Sequence, residues 1–171
     1  MLGEQTMDRT FSCLCNLVAF LVAAAMSWRD IRTRLVADHE LAWFAFFAVL
    51  PRLLAPPPLY SVPLPLWLWQ SVELIRTSGG GGLLLILKLP ARLVTGRNLL
   101  GMGDVLFTLA AGFMLPAGAS VHMVCLAFLL ALPFSLAKIL GRKKKDPLPF
   151  IPFLTASAFI IRLLPTSARF F

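Results

Sequence analysis

The sequence predicts an all-α polytopic membrane protein of about six transmembrane helices, and three observations predict it. The first is composition: of 171 residues, 58% are hydrophobic and only 14% charged, with a mean hydropathy of +0.82. Ordinary soluble domains carry about 25% charged residues. A soluble chain this small has too much surface for its volume to hide that much apolar area, whereas lipid solvates it directly. The second is a series of apolar runs broken by proline-rich or basic connectors. The third is that the basic residues gather in alternate connectors, as the positive-inside rule requires.

Taken in order, the first helix spans about 9–29. Its uncharged core, Thr10 to Trp28, holds 19 residues, against the roughly 7–15 of a signal-peptide apolar region. Arg29, Arg32 and Arg34 follow as a stop-transfer signal, so the segment reads as a retained span. A second helix begins near Asp38, expected as its N-cap, and runs toward Leu54, with Pro51 expected to kink or end it. Ala55 to Pro65 contains five prolines and reads as an outer loop, with Trp67 and Trp69 in interfacial aromatic positions. Between Leu66 and Val94 two arrangements remain open. One is an interfacial helix (about 65–77) followed by a spanning helix (about 78–95); the other is one long broken helix. Gly79 to Gly82 in its middle permit close helix approach but weaken a helix. Three further helices cover about 104–116, 119–140 and 148–164. With the N-terminus outside, 11 of the 16 Lys and Arg residues fall on the cytoplasmic side, which supports six spans with both ends outside. Residues 1–171 read as a single integral membrane domain without internal repeats, and nothing in them indicates an oligomeric state.

A net charge of +8 suggests nucleic acid in a soluble protein, but here it fixes topology, and no basic stretch is interleaved with stacking aromatics. No nucleic-acid partner is expected; the bilayer is. Cys13, Cys15 and Cys125 form no CxxC pair and read as small buried membrane residues. Asp38-His39-Glu40 reads as a capped helix start, because adjacent residues on one turn point in different directions. His122, alone inside a helix, reads as a hydrogen-bonding partner for a neighbouring helix. No metal or cofactor is expected. The Arg142–Lys145 run sets topology and can contact anionic headgroups.

Two aspartates stand where membrane proteins rarely tolerate them. Asp30 ends the first helix and Asp104 opens the fourth, both on the cytoplasmic side. Such groups pair, face a wet cavity or do chemistry. Two carboxylates about 3 Å apart cannot both ionise, so one can take a proton from water while the other donates to a substrate carbonyl. Blander readings also fit: Asp30 as an interfacial charge paired with Arg29, Arg32 or Arg34, and Asp104 as a helix N-cap. The glycines around Asp104 add specificity, since a Gly-x-Gly-Asp string arises by chance in about 2% of such chains. Gly101 and Gly103 are expected to allow a tight turn and close substrate approach.

Trp28-Arg29-Asp30-Ile31-Arg32-Thr33-Arg34, Gly101-Met102-Gly103-Asp104-Val105 and Pro149-Phe150-Ile151-Pro152-Phe153 together resemble the type IV prepilin peptidases, the Gly-x-Gly-Asp aspartic proteases of bacteria and archaea. The resemblance implies an intramembrane aspartic endopeptidase with Asp30 and Asp104 catalytic and Gly101 and Gly103 supporting the motif. It implies a prepilin-like substrate (a pilin or pseudopilin) with a hydrophobic N-terminal helix, its leader cleaved after a glycine. It also implies the cytoplasmic membrane of a prokaryote, with the site facing the cytoplasm. With no paired CxxC motifs, the chain resembles the short, peptidase-only branch that lacks N-methylation. It departs from the family pattern in three places: Asp38 where Asn is common, Leu106 where Lys is common and Ile151 where Gly is common. These bear on efficiency and substrate preference. The alternatives are a non-enzymatic or proton-coupled membrane subunit using the same acids, and a degenerate peptidase homologue.

Overall fold

The computed structural model describes residues 2–54, 66–95, 101–116, 118–140 and 148–164. The Ala55–Pro65 loop and the Arg142–Lys145 run of the sequence reading lie outside them. Seven helices form among the described residues: α1 (Leu2–Thr33), α2 (Asp38–Leu54), α3 (Leu66–Thr77), α4 (Gly79–Thr95), α5 (Met102–Met114), α6 (Ala119–Leu140) and α7 (Ile151–Leu163).

No proline interrupts α1, and its Thr10–Thr33 stretch is long and apolar enough to cross a membrane, as is Ala119–Lys138 of α6. Gly79–Pro90, α5 and α7 are shorter apolar helices. The first helix runs about one turn past the expected end, so Asp30 lies inside it. Arg34 terminates it in the left-handed region at φ 55°, its N–H still bonded to the Asp30 carbonyl at 2.9 Å. That conformation is unfavourable for a residue with a Cβ, so the helix stops at a defined place.

The inward stripe of α1 is Cys15, Ala19, Ala23, Met26 and Asp30, spaced by three and four residues as one helix face requires. Its small side chains let α2 pack closely. Of the three cysteines only Cys15 is buried; Cys13 and Cys125 face outward. This corrects the expectation for that pair, because Cys13 lies on α1 away from the buried stripe. Leu17 and Leu21 are 56% and 63% exposed, Leu129 and Phe134 64% and 60%. A soluble protein does not present such rows to water, while a lipid-facing surface does.

α2 starts where expected, but Asp38 is its first residue and not its N-cap. The Ala37 carbonyl accepts the first helical bonds, from Glu40 and Leu41. Asp38 and Glu40 then favour the positive end of the helix. Pro51 lies in the last turn and the helix continues through it to Leu54. Between residues 66 and 95 the structure takes the first of the two arrangements, with α3 and α4 separated at Ser78.

α5 occupies the centre. It packs against α2, α3, α4, α6 and α7, and Val105, Phe107, Thr108, Ala110, Ala111, Gly112 and Met114 are buried on it. Thirteen residues rise about 20 Å, less than the roughly 30 Å of a hydrocarbon core. A helix wrapped by others need not match the bilayer, so its ends lie among protein groups. Phe107 stacks on Phe44 of α2 at 4.6 Å between centroids. Glycines of α4 make the close contacts around α5: a Cβ on Gly81 would meet Leu109 Cγ of α5 at 2.3 Å, and one on Gly80 would meet the Ser120 carbonyl oxygen of α6 at 2.4 Å. The Gly80 N–H also bonds Ser120 Oγ at 3.1 Å.

The C-terminal end of α5 is closed by Arg52. Its Nε donates to the Phe113 carbonyl at 3.1 Å and its Nη2 to the Leu115 carbonyl at 3.0 Å, while Nη1 pairs with Glu73 at 3.2 Å. A cation there satisfies orphan carbonyls and complements the helix dipole. We expect Arg52→Met to destabilise the protein by about 1–3 kcal/mol. Thermal unfolding in detergent micelles checks this; an unchanged midpoint would remove the capping role.

Candidate active site

The end of α5 opposite Arg52 carries Asp104. Gly101 is the N-cap and Asp104 the third helical residue, so Asp104 is not itself the cap that the blander reading anticipated. Its Oδ2 accepts from the Gly101 N–H at 3.1 Å. This is the carboxylate half of a capping box; Gly101 has no side chain to supply the other half. The Asp104 carbonyl in turn accepts from Thr108 Oγ1 at 2.7 Å, tying the first turn together.

Neither motif glycine has a positive φ, so the tight turn anticipated from the sequence does not draw on the left-handed region that favours glycine. A Cβ on Gly101 would crowd Asp104 Oδ2 at 3.2 Å, where the carboxylate approaches the backbone. One on Gly103 would stand 3.4 Å from Val36 Cγ2 in the α1–α2 connector, an ordinary contact, so space does not demand glycine there.

Asp30 is 6% exposed and points inward from α1. The arginines around it are engaged differently from a simple surface cluster. Arg29 leaves it for Glu40 of α2 at 2.8 Å, and the Arg32 guanidinium lies over the Trp28 ring at 4.6 Å. Arg34 acts on Asp30 through its charge. The direct partner of the Asp30 carboxyl is the Ile151 backbone N–H at the first residue of α7. Helix N-termini expose unpaired N–H groups and a partial positive charge, both of which suit a carboxylate. Pro152 follows, a residue suited to the helix start because it has no N–H to leave unpaired. The Asp30 Oδ2 is buried and has no hydrogen-bond partner among the described residues.

The two aspartates are near enough for the charge of Asp30 to act on Asp104, as does that of Lys88 from α4. The α1–α7 contact is fixed further along by Ser27 Oγ and Thr155 Oγ1 at 2.8 Å and by the Phe20–Phe159 edge contact at 5.6 Å. Beside these lies an open apolar groove of about 530 Å³, running from Leu17 to Ile31 on α1 and from Pro152 to Phe159 on α7. Its Ile31 and Pro152 end adjoins Asp30 and Ile151 in the chain.

The three motif departures acquire a physical reading. Ile151 serves Asp30 through its backbone N–H, so the identity of its side chain leaves that bond intact. Leu106 is 42% exposed on α5, turned away from the buried face. Asp38 is exposed at the start of α2. Glu40 is committed to Arg29, with its Oε2 buried and unpartnered among the described residues. His122 contacts the Gly118 carbonyl just before α6 at 3.3 Å, and among the described residues it makes no hydrogen bond to a neighbouring helix. Sequence reasoning missed the Ile151 N–H and Lys88. The Pro-Phe-Ile-Pro-Phe segment marked the first region without its role, and nothing in the sequence marked the second.

Residues 17–136 match the model of the type IV leader peptidase family, a span that contains both aspartates. A 71-residue segment is 38% identical to a prepilin leader peptidase/N-methyltransferase of Haemophilus influenzae, covering 42% of this chain and 30% of that protein. In that match the chain spans less than a third of its relative's length. No solved structure matches it. The family model covers more than half of the sequence, and the chain belongs to the type IV leader peptidase family.

Proposed function

We propose that this protein is an intramembrane aspartic endopeptidase that removes the leader of a prepilin-like substrate at the cytoplasmic face of a prokaryotic inner membrane. The observation that carries the reading is that Asp30 and Asp104, from helices far apart in sequence, lie within reach of each other's charge. Each carboxyl accepts a backbone N–H at a helix N-terminus, Ile151 for Asp30 and Gly101 for Asp104. Groups held in this way lose little freedom when substrate arrives.

The chemistry follows from two carboxyls sharing one proton. The ionised member takes a proton from water as the water oxygen attacks the scissile carbonyl carbon. The protonated member gives its proton to the carbonyl oxygen. The tetrahedral intermediate then collapses: the C–N bond breaks, the proton taken from water passes to the leaving amine, and a hydroxyl proton of the intermediate returns to the carboxylate that gave one up. Family membership supports the peptidase activity, and the named relative supports prepilin as the substrate class. The apolar groove between α1 and α7 gives a hydrophobic substrate helix a wall whose Ile31 and Pro152 end lies next in the chain to Asp30 and Ile151. Arg29, Arg32 and Arg34 around Asp30 support a cytoplasmic site by the positive-inside rule.

The test is cleavage of a co-expressed prepilin-like substrate, followed by the mobility of its N-terminal fragment. Asp30→Asn is expected to abolish processing while leaving the protein membrane-inserted. Processing at the wild-type rate in this variant would remove the two-carboxylate mechanism.

A further inference from the structure

The helices that carry the two aspartates make little direct contact. α1 packs on α2 and α7, and α5 packs on both of these. The separation of Asp30 and Asp104 is therefore set through α2 and α7. On the α7 side, the Ile151 N–H holds the Asp30 carboxyl, and Ser27 Oγ meets Thr155 Oγ1 at 2.8 Å. On the α2 side, the corresponding link is the ion pair of Arg29 Nη1 with Glu40 Oε1, also at 2.8 Å.

That pair spans a short connector. α1 stops at Arg34, whose N–H bonds the Asp30 carbonyl at 2.9 Å, while Thr33 Oγ1 bonds the Arg29 carbonyl at 3.0 Å. α2 starts at Asp38, with the Ala37 carbonyl accepting from the Glu40 and Leu41 N–H groups at 3.1 and 3.2 Å. Arg29 and Glu40 thus stand at the two feet of the connector, and Arg29 is the chain neighbour of Asp30. Between the feet, Val36 lies against the motif of α5: a Cβ on Gly103 would stand 3.4 Å from Val36 Cγ2. One connector therefore starts a single helical turn from Asp30 and touches the residue before Asp104.

Stability alone does not account for the pair. The Arg29 and Glu40 side chains are 46% and 23% exposed, and ion pairs this open to solvent add little to global stability. What the pair fixes is direction. Glu40 Oε2 is buried without a hydrogen-bond partner among the described residues, so among them Arg29 alone orients this carboxylate. Catalytic geometry is sensitive to such anchors: a misplacement of about 1 Å, caused away from the reacting atoms, costs about 100-fold in rate.

We propose that Arg29 and Glu40 are positioning residues of the two-carboxylate site: their ion pair clamps the start of α2 to the end of α1 and so sets the distance between Asp30 and Asp104. This rests on the aspartic peptidase reading above. In this role neither residue touches substrate; both act through the end of α1 that carries Asp30 and through the Val36 contact with Gly103.

The experiment is steady-state cleavage of a prepilin-like substrate by the full-length protein in detergent, with thermal unfolding of each protein. The set is wild type, Arg29→Met, Glu40→Gln, the double variant and Arg29→Lys. Both single variants are expected to lose about tenfold in kcat, with KM within about twofold of wild type. Their unfolding midpoints are expected to stay within about 2 °C. The double variant is expected to lose no more than the worse single one, because two residues acting as one unit are not additive. Nη1 alone makes the bond, so a lysine ammonium can replace it, and Arg29→Lys is expected within about threefold of wild type. Direct action of the two charges on the aspartates would shift kcat in opposite directions in Arg29→Met and Glu40→Gln, since one removes a cation and the other an anion. A purely structural pair would lower the midpoint and leave the kcat of the folded protein unchanged. Unchanged kcat in whichever single variant folds, opposite shifts in the two, losses that multiply in the double variant, or a change confined to KM overturns the proposal. If wild-type cleavage does not depend on Asp30 and Asp104, both readings fall. If it does and one of these results is found, this one alone falls.

Discussion

Asp104→Asn is expected to lower prepilin cleavage by about 100- to 10,000-fold, the range over which positioned acid–base groups act. The amide can still accept from the Gly101 N–H, whose bond to Oδ2 is 3.1 Å, and it still fits beside Gly101. The helix start therefore survives while the group that titrates is lost. Asp104→Glu is also expected to be poorly active, since one added methylene must push the carboxylate away from Gly101 or toward Asp30. The measurement is kcat/KM with purified variants, together with thermal unfolding in the same detergent. Activity within a few-fold of wild type, in a variant of unchanged stability, would leave Asp104 as a helix-capping group and nothing more.

Gly112→Ala is expected to cause the largest loss of stability, about 3 kcal/mol. A Cβ there would stand 2.1 Å from the Thr77 carbonyl oxygen, which is backbone and cannot rotate aside. The end of α3 would have to move away from α5, and the register that carries Lys88 to Met102 would move with it. Gly82→Ala is the control within the same packing layer: nothing lies within 4 Å of its Cβ position, so exchanging glycine for alanine in α4 should stabilise by about 0.5–1 kcal/mol. Unfolding midpoints of the two variants should therefore move in opposite directions. A Gly112→Ala variant as stable as wild type would mean that α3 does not pack against α5 as described.

The limits of the sequence are clearest at individual residues. Proline density and the four-glycine run left the segment from 66 to 95 open between one helix and two, because each bears only on local backbone preference. The break at Ser78 is settled by α4 packing onto α5 and α6, where Gly80 and Gly81 permit backbone approach. Asp38 looked like an N-cap because of its residue type, yet the Ala37 carbonyl takes that position one residue earlier. The glycines of the Asp104 motif suggested a turn by their conformational freedom. Neither takes a positive φ, and it is the Asp104 carboxylate, bonded back to the Gly101 N–H, that crowds the first of them.

By itself the sequence determined the all-helical membrane class, the bounds of α2, α5, α6 and α7 to within a few residues, and Asp30 and Asp104 as the candidate pair. Hydropathy, proline and charge placement act over short stretches, and a family motif is a local string. Only the tertiary structure decided that Ile151 N–H holds Asp30, that Lys88 reaches Met102 at the start of α5, and that Arg52 closes the far end of α5. Each of these joins groups from different helices. Their meeting depends on helix register, which is set by where small side chains let backbones touch and leaves no periodic trace in the sequence.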